Sequence, residues 1–124
     1  MAIKIVDASA LAALLFGEPE AEAVADLLDG AQLAAPSLLG FELANVCLMK
    51  CRRHPEQRDG LVAGFRLLGR LGVEEIAVDH ADVLDLTSET GLTAYDASYL
   101  WLARQLRAEL VTLDKELARA IERA

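Results

Sequence analysis

Positively charged side chains are scarce and unevenly placed in this acidic sequence. No Lys or Arg occurs between residues 5 and 49, or again between residues 71 and 103, and the net charge is −8. Such a balance excludes a protein that coats nucleic acid through its charge alone. All but one of the 12 cations lie within residues 50–70 and 104–123. These two segments form either an ordinary solvated helix surface or a short track for a phosphate backbone.

Cysteine and long apolar runs are also rare. Two cysteines in 124 residues fit a reducing compartment, and no run approaches the roughly 20 apolar residues that cross a bilayer. Asp7 interrupts the first apolar stretch, and Glu18-Pro19-Glu20 stands where a secretory signal would need small residues for cleavage. We therefore expect a cytoplasmic protein without a membrane span.

Cys47, Cys51 and His54 recur at helical spacing, which raises a soft-metal site as one alternative. Three ligands from one helix cannot close a tetrahedral zinc shell unaided, and Pro55 is expected to end this helix. The other alternative is two ordinary thiols on a helix. His80 has no partner at a ligand spacing and is expected in the first turn of a helix.

Strand and helix patterns alternate along the chain. The β-branched run at residues 3–6 predicts a buried parallel strand, and further strands are predicted at residues 31–35, 73–78 and 109–113. Helices are predicted at residues 8–16, 19–29, 38–53, 55–71, 80–89, 94–107 and 115–122, with caps at Asp7, Ser37, Asp79, Thr93 and Asp114. This alternation predicts one α/β domain over residues 1–124, with helices on both faces of a parallel sheet.

Two acidic residues come directly after predicted strands and directly before predicted helices. Asp7 follows the first strand, and Asp114 follows the last. Ligands of open α/β sheets bind beyond the carboxyl ends of the strands, so both residues are candidates for chemistry. A helix N-cap would occupy the same position in the sequence, and this alternative stays open.

Two further acids lie on predicted helices. Glu42 projects from an apolar stripe that includes Leu39 and Val46, where an ionised carboxylate is costly unless it is paired or binds a metal. Asp96 is the third residue after Thr93, so this segment fits a capping box as well as a functional site.

If these four carboxylates lay close together, their negative charge would have to be neutralised. Two like charges about 5 Å apart repel by roughly 3 kcal/mol at an effective dielectric constant near 20. Protons or hard cations can relieve this repulsion, and an all-oxygen site without Cys or His favours Mg²⁺ or Mn²⁺. Such a metal can activate water for attack on phosphorus.

Four segments follow one another in an order and spacing that a known family shares. They are Ile5-Val6-Asp7-Ala8-Ser9, Phe41-Glu42-Leu43-Ala44-Asn45, Leu92-Thr93-Ala94-Tyr95-Asp96-Ala97-Ser98-Tyr99 and Leu110-Val111-Thr112-Leu113-Asp114. Each segment is weak alone, but together they span nearly the whole chain and are specific. By these segments the sequence resembles the PIN-domain proteins of the VapC type.

The resemblance implies a three-layer α/β/α fold around a parallel sheet of four strands, or five where a short strand follows the last helix. It implies one acidic site formed by Asp7, Glu42, Asp96 and Asp114. In that site Asp7 and Asp96 would bind Mg²⁺ or Mn²⁺, with Ser9 and Thr112 in support. It further implies an endoribonuclease that acts on RNA, a toxin held by a cognate antitoxin protein, and a dimer. The Ala- and Leu-rich composition also favours a homodimer.

Other protein classes lack support at particular residues. A receiver-type phosphorylation switch needs an acidic pair after the first strand and a Lys after the last, but Ala8 and Ser9 follow Asp7, and Lys115 lies within the last helix. A haloacid-dehalogenase-like phosphatase needs a second Asp at position 9, where this sequence has Ser9. A dinucleotide-binding domain needs a Gly-rich turn after the first strand. A non-catalytic PIN-like interaction module stays as the alternative, although the presence of all four acids favours an enzyme.

Overall fold

The computed structural model of the protein describes residues 1–123, which form a four-stranded parallel sheet flanked by helices. The strands are β1 (Ile3–Val6), β2 (Gln32–Pro36), β3 (Glu74–Ile76) and β4 (Glu109–Val111). They lie in the order β3-β2-β1-β4, and each neighbouring pair is parallel. The edge strands β3 and β4 are short and carry exposed glutamates, which discourages pairing with another chain.

Seven α-helices accompany the strands in residues 1–123. They are α1 (Ala8–Leu15), α2 (Ala21–Leu28), α3 (Leu39–Arg53), α4 (Arg58–Arg66), α5 (His80–Thr90), α6 (Ala94–Leu106) and α7 (Lys115–Glu122). From β1 to β3 the chain moves one way across the sheet, and from β3 to β4 it returns past β1. Because such crossovers are right-handed, α5 and α6 lie on the opposite face from α1–α4. The predicted three-layer α/β/α fold is therefore confirmed.

The core lies between the sheet and the helices that cover it. Helix α6 packs across β1, β2 and β4, while α1 packs against α2 and α3. Ile5, Leu11, Leu43 and Leu102 are buried at these contacts, each contributing about 1.5–3 kcal/mol by leaving water. Helix α4 approaches the end of α1 so closely that a Cβ at Gly64 would collide with the carbonyl oxygen of Leu15. None of the helices in residues 1–123 has the length and apolarity that a membrane crossing requires.

The helix caps predicted at Asp7, Asp79, Thr93 and Asp114 are confirmed, because each side chain accepts a hydrogen bond from the backbone N–H three residues later. The cap predicted at Ser37 is wrong. Helix α3 begins at Leu39, and its capping residue Leu38 offers no side-chain bond. The Ser37 N–H still donates to the Ile76 carbonyl at 3.0 Å, so the chain leaves the sheet later than the pattern suggests.

The single helix predicted over residues 55–71 is also wrong. A 3₁₀ turn at Pro55–Gln57 precedes α4, and another at Leu67–Arg70 follows it. Gly60 and Gly69 weaken helix propagation in this stretch. Strands β3 and β4 are shorter than predicted, at three residues each.

Candidate active site

The candidate site lies where the strand order reverses. Strands β1 and β4 are neighbours, with Val6 paired to Val111, although they come from opposite ends of the chain. The Asp7 N–H extends this pairing by donating to the Val111 carbonyl at 3.2 Å. Beyond the carboxyl ends of these two strands the chain departs in different directions, and in open α/β sheets such a point is the crevice where ligands bind. Asp7 and Asp114 both stand at this crevice.

Asp7 is buried and held by three hydrogen bonds. Its Oδ1 accepts from the Ser9 hydroxyl at 2.7 Å and from the Ala10 N–H at 3.0 Å, and its Oδ2 accepts from the Thr112 hydroxyl at 2.5 Å. Burial raises the pKa of the Asp7 carboxyl, while these three bonds lower it and the charge of Asp114 raises it further. The carboxylate orientation is therefore fixed by the fold, with part of its ionisation cost left uncompensated.

Ser9 and Thr112 also tie the end of β4 to the start of α1. The Leu113 N–H donates to the Ser9 hydroxyl at 2.9 Å, and the Asp114 N–H donates to the Thr112 hydroxyl at 2.9 Å. Each hydroxyl thus accepts one backbone bond and donates its proton to Asp7. Ser9 and Thr112 are thus both in direct contact with Asp7. They are the two residues that the family resemblance implies as supporting the site.

Glu42 is half-buried in the first turn of α3 and has a partner that sequence reasoning missed. The Tyr99 hydroxyl, on fully buried Tyr99 of α6, donates to Glu42 Oε1 at 2.6 Å. Burial raises the pKa of Glu42, the Tyr99 bond lowers it, and the charges of Asp96 and Asp7 raise it. Tyr99 lies three residues after Asp96, so the shared face of α6 was the one available signal.

Asp96 has a carboxylate without a hydrogen-bond donor in residues 1–123. Its backbone N–H donates to Thr93 Oγ1 at 3.2 Å, but the reciprocal bond of a capping box is missing from this part of the chain. Burial raises the pKa of Asp96, and the charges of Asp114, Asp7 and Glu116 raise it further. The cap is provided by Thr93, which leaves the Asp96 side chain free to bind a ligand.

Asp114 caps α7 through Oδ1, which accepts from the Leu117 N–H at 2.9 Å. Its charge acts on the pKa of both Asp7 and Asp96. Glu116, two residues later, adds a fifth acidic group that sequence reasoning did not single out. The four acids are thus linked electrostatically. Asp114 raises the pKa of Asp7 and of Asp96, and Asp7 and Asp96 both raise the pKa of Glu42.

The four carboxylates do not converge into a tight cage. Across residues 1–123, no three Asp, Glu, His or Cys side chains lie close enough together to enclose a metal ion. The available donors at the crevice are all oxygen atoms, which suit a hard cation that keeps several of its waters.

Two other regions were singled out in the sequence, the cysteine and histidine group of α3 and the basic segment at the end of that helix. Cys47 and Cys51 are buried free thiols, while His54 is exposed with its Nδ1 3.5 Å from Glu56, so these residues do not form a soft-metal site. Arg52 and Arg53 are exposed at the end of α3. They lie about 15 Å along the helix axis from Glu42, at 1.5 Å per residue.

Comparison with known proteins gives the family of the chain. A family model described as PIN domain matches residues 4–122. The chain therefore belongs to the PIN-domain family. It is 34% identical over 119 residues to Ribonuclease VapC3 of Pyrobaculum aerophilum. The aligned region covers 92% of this chain and 91% of that relative. The resemblance to VapC-type PIN-domain proteins drawn from the four sequence segments is confirmed.

A solved structure supports the same assignment. The crystal structure of PAE2754 from Pyrobaculum aerophilum superposes with a TM-score of 0.78 and 28% sequence identity. The match covers 96% of this chain and 79% of that one.

Proposed function

We propose that this protein is a Mg²⁺-dependent endoribonuclease that cleaves RNA phosphodiester bonds and acts as the toxin of a type II toxin–antitoxin pair. The observation that carries the proposal is the electrostatic linkage of Asp7, Glu42, Asp96 and Asp114 at the crevice beyond β1 and β4. Uncompensated negative charge is costly and is relieved when a cation binds. Similarity to Ribonuclease VapC3 supports ribonuclease chemistry as the use of that cation.

Asp7 and Asp96 are the proposed metal ligands. Three hydrogen bonds occupy three of the roughly four lone-pair positions of the Asp7 carboxylate, and one on Oδ2 stays available. The Asp96 carboxylate accepts no bond from residues 1–123. Two carboxylates and several waters suit Mg²⁺, with Mn²⁺ as the alternative, and fit a crevice without a closed cage.

The remaining acids act on water and substrate. A bound Mg²⁺ supplies the charge that lowers the pKa of a water and stabilises negative charge on phosphate oxygens. Glu42 is held through Oε1 by Tyr99, so its Oε2 can accept the proton of an attacking water. Asp114 is held through Oδ1 by the Leu117 N–H, and its Oδ2 can accept hydrogen bonds from water at the same crevice. The fixed orientation of these groups reduces the reorganisation that the reaction requires.

A cleavage assay tests the proposal. Purified protein is incubated with end-labelled total RNA in Mg²⁺, Mn²⁺ or a chelator. We expect discrete cuts with either metal and none with the chelator, because water activation would depend on the cation. Undiminished cleavage in the chelator would contradict metal dependence. RNA binding without cleavage under all three conditions would favour the non-catalytic interaction module instead.

The proposed partners are a cognate antitoxin protein and a second copy of the chain, in the cytoplasm. Exposed Leu48 and Met49 on α3 offer an apolar surface for dimerisation. Sedimentation at micromolar concentration should give a dimer, and Leu48→Asp should give a monomer. A parent protein that sediments as a monomer would contradict the dimer, and co-purification of a small neighbouring protein would identify the antitoxin.

A further inference from the structure

The first turn of α3 carries Glu42 but receives no cap from the residue that precedes it. Leu38 stands at the capping position and provides no side-chain hydrogen bond, while the backbone N–H groups of a first turn have no partner within the helix. Gly40, the second residue of α3, weakens the turn further because glycine is among the least favourable helix residues. The Glu42 N–H closes the turn by donating to the Leu38 carbonyl at 3.1 Å. The position of the Glu42 side chain therefore depends on how well this turn is ordered.

A side chain from the edge strand β3 provides the missing cap. Glu75 Oε1 accepts a hydrogen bond from the Gly40 N–H at 3.3 Å. Strand β3 places Glu75 there because Glu75 pairs with Ala35 of β2, and β2 is the strand that leads into α3. A carboxylate at this position also interacts favourably with the positive end of the helix dipole. Glu75 thus caps α3 from a neighbouring strand.

The charge of Glu75 also acts on Tyr99, the hydrogen-bond partner of Glu42. Burial raises the pKa of the Tyr99 hydroxyl, and its bond to Glu42 raises that pKa further. The negative charges of Glu42, Asp7 and Glu75 act in the same direction. A hydroxyl with a raised pKa keeps its proton, which Tyr99 donates to Glu42 at 2.6 Å. Glu75 therefore favours both the first turn of α3 and the hydrogen bond that orients Glu42.

We propose that Glu75 is a positioning residue, which holds the first turn of α3 through the Gly40 N–H and so fixes the Glu42 carboxylate at the candidate site. Its effect on the reaction rests on the proposed ribonuclease function, whereas the contact with Gly40 does not. Glu75 makes no ion pair within residues 1–123, so no cation competes with the helix end for its carboxylate in this part of the chain.

Hydrogen exchange at the Gly40 amide, measured by NMR on the metal-free protein, tests the contact without reference to activity. Glu75→Ala removes the acceptor, and we expect this amide to exchange about 2-fold to 5-fold faster, the factor equivalent to losing a carboxylate at an exposed helix N-terminus. Glu75→Gln keeps a side-chain oxygen and should retain most of the protection.

Glu74→Ala is the matched control for the loss of charge. Glu74 is also exposed and lies next to Glu75 in β3, but successive side chains of a strand point to opposite faces. The Glu74 side chain forms neither a hydrogen bond nor an ion pair within the part of the chain that the structure describes. We expect Glu74→Ala to leave exchange at Gly40 at the parent rate.

Steady-state cleavage tests the effect on the site, with a labelled RNA that contains one of the cut sites of the parent. Glu75→Ala should lower kcat by a similar factor of about 2 to 5 and leave KM unchanged, because the residue orders Glu42 and is not proposed to bind RNA. Glu75→Gln should keep kcat near the parent value, and Glu74→Ala should change neither constant.

A compensating substitution separates a role in the helix turn from a general effect of charge. Gly40→Ala keeps the N–H and strengthens the turn, because alanine is the most favourable helix residue. A Cβ at position 40 would lie 3.7 Å from Glu75 Oε2, which is an ordinary contact, so the site has room for it. In the Glu75→Ala background, Gly40→Ala should restore kcat and slow the exchange of the amide at position 40.

Three results would overturn the positioning inference. They are unchanged exchange at Gly40 in Glu75→Ala, equal losses of kcat in Glu75→Ala and in either Glu75→Gln or Glu74→Ala, and no recovery of kcat on adding Gly40→Ala. Failure of the proposed function is distinguishable, because it would appear as a parent that cleaves no RNA in Mg²⁺. The exchange measurement would still support or overturn the contact between Glu75 and Gly40 in that case.

Discussion

Asp7 and Asp96, the two proposed metal ligands, both lie at the start of a helix but have opposite surroundings. Asp7 is buried, caps α1 itself and accepts three hydrogen bonds. Asp96 is half-buried, leaves the capping of α6 to Thr93, and accepts none from residues 1–123. The difference indicates that folding fixes the Asp7 carboxylate, whereas the Asp96 carboxylate keeps its oxygen atoms available to a ligand. Stability and activity should therefore separate at the two positions.

The largest expected effect is at Asp7. Asp7→Asn and Asp7→Ala should each reduce RNA cleavage by roughly a hundredfold or more, the scale of losing a preorganised electrostatic contact. Asp7→Ala should also be less stable than Asp7→Asn by about 1–3 kcal/mol, because it removes the helix cap and the acceptor of the Ser9 hydroxyl, which the Asn side-chain oxygen can keep. Cleavage rates and denaturant unfolding of both variants measure this.

Asp79→Ala is the control for a cap outside the site. Asp79 caps α5 through the Asp82 N–H at 2.9 Å, so its loss should reduce stability and leave cleavage intact. Equal stability of Asp7→Asn and Asp7→Ala would contradict the structural role assigned to Asp7.

The next effect concerns the positioning of Glu42 by Tyr99. Tyr99→Phe removes only the hydroxyl and should slow cleavage by about tenfold or more, since a charge-assisted hydrogen bond contributes about 1.5–3 kcal/mol. In the parent, the hydrogen bond from Tyr99 lowers the pKa of Glu42. Without this bond the pKa of Glu42 should rise, so the acid limb of the pH–rate profile should move to higher pH in the variant. Tyr95→Phe removes an exposed hydroxyl and should leave the profile in place. A slower Tyr99→Phe enzyme with an unmoved acid limb would indicate a purely structural role.

A smaller effect is expected in the pH dependence of stability without metal. Burial raises the pKa of Asp7, Glu42 and Asp96, so the folded state holds these protons more tightly than the unfolded state. Their contribution to stability is complete below the unfolded pKa of about 4 and is lost as pH rises through the folded values. The metal-free parent should therefore gain stability relative to Asp7→Asn as pH falls towards the unfolded pKa of about 4. Parallel curves for the two proteins would contradict the raised pKa of Asp7.

The smallest effect is expected from the basic cluster formed by Arg52, Arg53 and Arg58. Replacing all three by Gln should weaken RNA binding and its dependence on salt, because each exposed cation that contacts a phosphate adds to the counterion release on binding. The plot of log affinity against log salt should become less steep by about 2 if each cation contacts one phosphate of a single strand. Arg104→Gln, in α6, is the control. An unchanged slope would leave the cluster as ordinary solvated surface.

Local features of this molecule could be predicted from the sequence, and long-range ones could not. Caps at Asp7, Thr93 and Asp114 follow from bonds that span three residues, and the strand of β1 follows from its β-branched run. The Glu42–Tyr99 bond joins residues 57 positions apart in the chain, so no pattern in either segment indicates it. The cap expected at Ser37 failed because sheet pairing with Ile76 outweighed local preference.

The site itself was only partly predictable. Two acids at strand ends could be recognised from position alone, but their proximity depends on β4 lying beside β1, which strand patterns do not specify. Grouping all four acids required the family resemblance. The half-formed capping box at Asp96 became visible only in the structure, where the reciprocal bond is missing from residues 1–123.

Thermal unfolding of the parent and Asp96→Asn, each with and without Mg²⁺, tests the metal site most directly. The substitution removes one charge from mutually repelling acids, so without metal the variant should be at least as stable as the parent. Mg²⁺ at about 100 times its Kd should stabilise the parent by roughly 2.7 kcal/mol and the variant much less. A variant that is less stable than the parent without metal, yet gains as much from Mg²⁺, would contradict the assignment of Asp96 as a ligand.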